Sequence, residues 1–228
     1  MGDALHELRA RLPAIHRGAD RAHAGAAWLF LRAVGAVYVA AFLSLHGQVL
    51  GLVGERGILP ATRIIEHLHE AGPGVFRLLG TGDTALRGAC LAGALAGGAL
   101  VLDLAPAIAA AAAWLLYFSL CGVGRDFMRF QWDGLLLETG LLAVFLAPWR
   151  LAPRGPRAAE PPPPAALFAA RLLAFKLMFL SGLVKLTWDD RTWWDLSALH
   201  YHFETQPLPT WLAWYAHRLP AAVQAASA

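Results

Sequence analysis

Charge is what this sequence has least of. Asp, Glu, Lys and Arg supply 15% of its 228 residues and apolar types 57%, where a soluble domain is about a quarter charged. With a positive mean hydropathy, that excludes an ordinary water-soluble globule and indicates an integral membrane protein. The formal net charge is only +3, and the arginines are spread along the chain rather than gathered into the basic stripe that nucleic-acid binding needs. Cysteine is down to two, Cys90 and Cys121, both inside apolar stretches. A disulfide between them is geometrically conceivable, but small apolar fillers are the simpler reading. No phosphate loop, nucleophile elbow or dinucleotide fingerprint occurs, so no cofactor is expected. Metal-ligand spacing is missing too. His200, His202 and Glu204 alternate, so a helix would turn His202 away from the other two, His67 and His69 have the same spacing, and neither set has two histidines at the i, i+4 spacing of a helical zinc pair.

What is present is long apolar runs. Crossing the hydrocarbon as helix takes about 20 mostly apolar residues with every peptide group bonded internally. Five stretches qualify as spans, at 28–45, 84–102, 105–123, 134–148 and 165–186, the fourth being short. Pro106 falls where a first-turn proline is tolerated. The fold class is therefore all-α, a polytopic membrane bundle. Residues 1–25 form an amphipathic cytosolic segment, with Ala4, Leu5, Leu8, Leu12 and Ile15 at helical spacing among Arg9, Arg11 and Arg17, the pattern of a helix lying on the membrane surface. The bundle occupies 26–187, and 188–228 is a non-cytosolic, aromatic-rich segment. Gly35 and the run Gly93-Ala-Leu-Ala-Gly97 are small-residue contact points where helices approach closely.

Orientation rests on the short basic loops. Arg9, Arg11, Arg17 and Arg21 precede the first span, and Arg150, Arg154 and Arg157 follow the fourth, which places both on the cytosolic side and the C-terminus outside. Pro161 to Pro164 form a stiff extended spacer before the fifth span. The first outer loop opens with turn-permitting glycines at 51, 54 and 57, followed by a short helix at 62–69, and is of a kind that can fold back against the bundle.

Ionisable groups inside the spans sort by depth. Arg32 and Arg171 lie within about two turns of the cytosolic end, where arginine can snorkel to the interface as an anchor. Lys176 sits near the middle of the fifth span, either as a structural ion pair, with Glu138 its most obvious partner, or in a polar functional cavity. At the outer ends, His46 and Gln48, then Gln131, Asp133 and Glu138, then Lys185 share one layer. The candidate pocket is His46, Gln131, Asp133, Glu138 and Lys185, opening to the non-cytosolic side. Trp132, Trp188, Trp193 and Trp194 rim it or form an aromatic belt.

The densest block of demanding side chains follows Lys185: Thr187-Trp188-Asp189-Asp190-Arg191-Thr192-Trp193-Trp194-Asp195, then His200 to Pro209. Aromatic density of this kind implies a packed structure at a membrane surface. The stretch from Gly124 to Gly140, containing Phe130-Gln131-Trp132-Asp133, together with Lys185-Leu186-Thr187 and Leu199-His200-Tyr201-His202-Phe203-Glu204-Thr205-Gln206-Pro207-Leu208-Pro209, resembles the lipase maturation factor family. The resemblance covers about Trp28 to Pro220. It implies a multi-pass membrane protein assisting the folding, assembly or export of secreted lipases, with lipase clients and membrane lipid as its partners. The membrane would be the endoplasmic reticulum in a eukaryote and the inner membrane in a bacterium. It also implies that the chain corresponds to the N-terminal membrane core of a longer architecture.

A more distant resemblance links Ser181-Gly182-Leu183-Val184-Lys185-Leu186 and Trp194 to the vitamin K-dependent gamma-carboxylases. There the lysine matching Lys185 is a base that deprotonates the hydroquinone, which implies an alternative as a quinol-dependent membrane enzyme. The likeness departs at Leu135, where those enzymes place a histidine.

Overall fold

The computed structural model describes the backbone of residues 2–66, 74–206 and 210–228, with side chains from 23 onward except 65–73 and 207–209. Apolar helical runs become helices α1 Gly2–Val53, α2 Ala61–Glu66, α3 Phe76–Leu79, α4 Asp83–Val101, α5 Pro106–Gly124, α6 Gln131–Leu146, α7 Pro164–Thr187, α8 Ala198–Thr205, α9 Trp211–His217 and α10 Ala221–Ser227. No strand occurs among the described residues. The all-α reading therefore holds, and the chain divides into two compact units, Met1–Arg171 and Leu172–Ala228.

Four helical segments are long and apolar enough to cross a bilayer: His23–Val53, Asp83–Val101, Pro106–Met128 and Pro164–Thr187. The stretch read as a fourth span is helix α6, with 16 residues, about 24 Å at 1.5 Å per residue, short of a hydrocarbon core of about 30 Å. Pro148 limits it at the C-terminal side, because the residue before a proline is pushed out of the helical region. Ala147 is accordingly extended, at φ −75° and ψ 136°. The segments read as an amphipathic helix and a first span run as one continuous helix, α1, and the side chains of its first turns lie outside the described residues.

In the first unit α1, α4, α5 and α6 pack up-down-up-down. Between helices in lipid, close van der Waals fit replaces the hydrophobic drive, and the sequence supplies it with glycine. A Cβ on Gly35 would lie 2.8 Å from the Gly97 carbonyl, and one on Gly97 would lie 3.0 Å from the Gly35 carbonyl, so α1 and α4 touch backbone to backbone. Gly93 receives the Phe42 ring, and Gly140 of α6 receives the Tyr38 hydroxyl. Tyr38, Phe42 and Tyr117 fill the centre with ring centroids 5.6 to 5.9 Å apart, distances at which aromatic pairs attract. Cys90 is buried in this core as a free thiol, and Cys121 is also free.

The first loop does fold back. Ala61, Ile64 and Phe76 are buried. The Val75 amide donates to Ser119 Oγ at 3.0 Å, and that hydroxyl donates to the Leu115 carbonyl at 2.7 Å. The Glu55 amide donates to Asp83 Oδ1 at 2.9 Å.

The second unit carries the rest of α7, a 3-10 turn Arg191–Trp193 and the short helices α8 to α10. Buried Gln224 reaches from α10 to the end of α9, donating from Nε2 to the carbonyls of His217 at 3.0 Å and Leu219 at 3.1 Å. Those are among the carbonyls a helix end leaves without partners.

Gly140→Ala and Gly97→Val are expected to lower stability by about 1–3 kcal/mol, the cost of overpacking a close-packed core. Gly98→Ala on the open side of α4, where a Cβ meets nothing within 4 Å, is expected to be neutral. Thermal unfolding of the three variants in detergent, followed by circular dichroism, checks this ordering.

Candidate functional site

The residues picked out at the outer end of the first unit do not have equal standing. Asp133 is in the first turn of α6 and buried. Its Oδ1 accepts from the Tyr117 hydroxyl at 2.6 Å, and its Oδ2 accepts from the Phe130 amide at 3.3 Å. An acidic residue three positions into a helix satisfies one of the orphan amides there and complements the helix dipole. The aspartate of the Phe130-Gln131-Trp132-Asp133 motif thus fastens α6 to α5. A second bond to α5 runs from Trp114 Nε1 to the Leu137 carbonyl at 3.0 Å, and the Tyr38 hydroxyl of α1 donates to the Leu136 carbonyl at 3.4 Å, tying α6 to α1 as well. Around Asp133, Gln131 and Glu138 are exposed and His46 is half-buried. Exposed Gln48 donates to the Ser44 carbonyl of its own helix. Trp132 lies outside, stacked on Phe130 with centroids 4.7 Å apart.

Lys185 belongs to the second unit, where its ammonium sits 4.0 Å from the centroid of the Trp193 ring. In α8, His200 Nε2 and Glu204 Oε1 stand 3.5 Å apart, one turn from each other. His202, two residues from each, is turned away from both as helical spacing requires, and its ring lies edge-on to Phe203 with centroids 5.6 Å apart. Tyr201 is exposed and Phe203 half-buried, Thr205 Oγ1 donates to the Tyr201 carbonyl at 2.8 Å, and Gln206 closes the helix. Pro207 to Pro209 lie outside the described residues, as do His67 and His69. Among the described residues no group of three or more His, Cys, Asp or Glu is placed to hold a metal ion.

Sequence reading missed the most heavily bonded side chain among the described residues of the first unit. Asp103, in the four-residue turn between α4 and α5, is 3% exposed. Arg32 Nη2 meets its Oδ1 at 2.5 Å, and Arg150 Nη2 is 2.8 Å from both oxygens. The Arg154 amide at 3.0 Å, the Gly155 amide at 3.4 Å and Trp28 Nε1 at 3.4 Å all donate to Oδ2. Arg32 is therefore a buried partner with its guanidinium over the Trp28 ring, 5.0 Å from the centroid, and it does not snorkel to the interface as its depth suggested. Arg171, at the same end, is exposed and 3.0 Å from His23 Nε2. Burial pushes the Asp103 carboxyl up, but the hydrogen bonds from Arg150 and the Arg154 amide and the charges of Arg32 and Arg150 outweigh it and hold the carboxyl below the usual range. The available signal was one acid in a short connection between two apolar runs, at the depth of an intramembrane arginine.

A bundle of apolar helices closed at one end by a buried Arg–Asp–Arg cluster and at the other by a Tyr–Asp capping bond defines a multi-pass α-helical membrane protein. The profile described as lipase maturation factor transmembrane domain matches residues 26–228. Lipase maturation factor 2 of Gallus gallus is 44% identical over 205 residues, 84% of this chain and 29% of that protein. The Homo sapiens protein of the same name is 44% identical over 215 residues, with 84% and 30% covered. Lipase maturation factor 1 of Mus musculus is 35% identical over 220 residues, with 88% and 38% covered. The chain belongs to the lipase maturation factor family, and it spans between 29% and 38% of the length of these relatives. No solved structure matches it.

Tyr117→Phe, Asp133→Asn and the double variant form a cycle whose coupling energy is expected at about 0.5–3 kcal/mol, the range for residues in direct contact. Denaturant unfolding in detergent measures it, and additive effects would contradict the bond. Asp103 generates a pH prediction. Its folded pKa lies below the unfolded value of about 3.9, so its contribution is fully present above about pH 4 and is lost as pH falls through the folded value. Asp103→Asn is expected to lower stability by about 3–5 kcal/mol at neutral pH, since two buried guanidinia lose their counter-charge. The gap to the wild type should stay constant down to about pH 5 and narrow only below about pH 4.

Proposed function

We propose that this chain assists the folding, assembly or export of secreted lipases or similar clients, as a membrane-embedded factor rather than an enzyme. The observation that carries the reading is sequence identity of 44% to a lipase maturation factor 2 across 84% of the chain. Two contacts support a non-catalytic role. Asp133 is committed to Tyr117 and the Phe130 amide, and the Lys185 ammonium rests on the Trp193 ring, a contact worth about 0.5–1 kcal/mol at an exposed site. Both serve as fastenings. The reading as a quinol-dependent carboxylase would need Lys185 as a base and a second catalytic group, and Leu135 stands where that group belongs. In the proposed orientation the Asp103 end, with Arg150, Arg154 and Arg157, faces the cytosol, and the Asp133 end faces the client side.

The test is co-expression of the full chain with a secreted homodimeric lipase, comparing active enzyme in the medium at equal lipase transcript. Active lipase is expected to rise several-fold with the chain and to keep most of that rise with Lys185→Ala. No rise overturns the proposal. A rise abolished by Lys185→Ala, together with a carboxylation activity lost in the same variant, transfers the function to the enzyme reading.

A further inference from the structure

A groove of about 530 Å³ opens in the second unit directly after α7, lined by Trp188, Asp189, Asp190, Arg191, Trp194 and Asp195. Its volume falls in the range of about 300–1,000 Å³ typical of small-ligand sites. Short-range bonds fix the turn that shapes it. Asp190 Oδ1 accepts from the Thr192 amide at 3.0 Å and from Thr192 Oγ1 at 2.7 Å, and Asp195 Oδ1 accepts from the Ser197 amide at 3.0 Å and from Ser197 Oγ at 2.5 Å. The Trp194 and Asp195 amides both donate to the Arg191 carbonyl at 3.0 Å. Each of the two bonded aspartates keeps its Oδ2 uncommitted among the described residues. Asp189 and Arg191 are exposed, and their side chains make no hydrogen bond or ion pair among the described residues.

The chemistry of the lining is two-sided. Trp188 and Trp194 are 70% and 66% exposed, and indole faces beside carboxylates attract a cation, above all an alkylammonium. The Ser197 hydroxyl and amide hold the Asp195 carboxyl below its usual range, so it is anionic at neutral pH. Arg191 supplies the opposite preference, a planar fork matched to phosphate oxygens. A basic peptide would be drawn by the aspartates but repelled by Arg191, and a free anion would meet three carboxylates. A ligand carrying both an ammonium and a phosphate satisfies the whole groove. Its position names the source. Trp188 follows immediately on Thr187, the last residue of a 24-residue apolar helix, and tryptophan at such a boundary sits at headgroup level.

We propose that this groove binds the zwitterionic headgroup of a membrane phospholipid, with the alkylammonium held by Trp188, Trp194 and Asp189 and the phosphate held by Arg191. The site is independent of the lipase reading and would serve any function of the chain. An ordinary aromatic belt would hold the same tryptophans without selecting a headgroup, and the experiment exploits that difference.

Short-chain phosphatidylcholine, short-chain phosphatidylglycerol and free phosphocholine are titrated calorimetrically onto the purified full chain in maltoside micelles. Phosphatidylcholine is expected to bind about tenfold more tightly than phosphatidylglycerol, the ratio expected when cation–π contacts and the attraction of a carboxylate act together on the ammonium. Asp189→Asn should shrink that preference to within about twofold, because it weakens the ammonium contact and removes one carboxylate that repels the anionic phosphatidylglycerol. Arg191→Gln should weaken both lipids, since both carry phosphate. Circular dichroism confirms that each variant, altered only at an exposed side chain, retains its helix content. Equal affinity of the wild type for the two lipids, or a preference unmoved by Asp189→Asn, overturns the site and leaves a belt. Free phosphocholine binding as tightly as the lipid overturns the assignment to bilayer lipid.

Discussion

One carboxylate organises an entire end of the first unit. Asp103 takes six donor contacts from two other parts of the chain: the start of the apolar segment of α1, through Trp28 and Arg32, and the connection after α6, through Arg150, Arg154 and Gly155. The backbone of the α4–α5 turn is shaped to present it. Asp103 and Ala105 both have positive φ, 63° and 42°, a conformation that costs a non-glycine residue on the order of 1–3 kcal/mol and persists only where its surroundings over-determine it. The Ala105 amide, donating to the Leu151 carbonyl at 3.0 Å, is one such determinant, and the two guanidinia are the others. Replacing a buried ion cluster with well-packed apolar groups is often neutral for stability, so the contribution of this one is mainly positional. It sets where α1, the α4–α5 turn and the chain leaving α6 meet. Sharing one carboxylate between two guanidinia has a cost, since Arg32 Nε and Arg150 Nε are buried without a partner among the described residues.

That fixed end makes the close approach of α1 and α4 possible. At Gly35 and Gly97 the two helices meet through backbone, so what fixes their register lies on either side of that point. Arg32 is one turn before Gly35 on α1, and Asp103 follows α4 by two residues. The salt bridge and the glycine contact are thus two parts of one joint. At the other end, the Phe42 ring against Gly93 and the Tyr38 hydroxyl against Gly140 lead into the Tyr117–Asp133 bond, so α6 is held by α1 and α5 together. A helix of 16 residues can keep its place in such a bundle because it is bonded at Asp133, at Leu136 and at Leu137.

The glycine contacts were legible in the sequence because a four-residue spacing of small residues has one main use inside an apolar helix. The boundaries of α6 were less so. Hydropathy begins a span where apolar residues begin, at Gly134, but the helix starts at Gln131 because the Asp133 carboxylate caps it, and capping is invisible to an average over side-chain polarity. Asp103 was not legible as a partner for Arg32, since a lone acid in a loop ordinarily faces water and only the tertiary arrangement turns it inward. The fold of α9 and α10 depends on Gln224 satisfying carbonyls five to seven residues before it, a local device with no periodic signature. The aromatic block after Lys185 was recognisable as important, but not the division of its aspartates between those that shape the turn and the one that faces outward.

This division separates scaffold from surface. In the first unit Asp103, Asp133 and Ser119 each spend their oxygen atoms on internal donors, and a polar group already satisfied by its own fold is poorly placed to engage a ligand without first losing a bond. Buried networks of this kind rigidify and position. In the second unit, Trp188, Trp194, Asp189 and Arg191 are held by a bonded turn yet keep their recognition atoms exposed, the combination of rigid support and uncommitted side chains from which binding sites are built. The chemistry available to a partner therefore lies where the sequence is richest in costly aromatic and charged residues, and the long apolar helices, which make up most of the chain, serve to hold their own bundle in register.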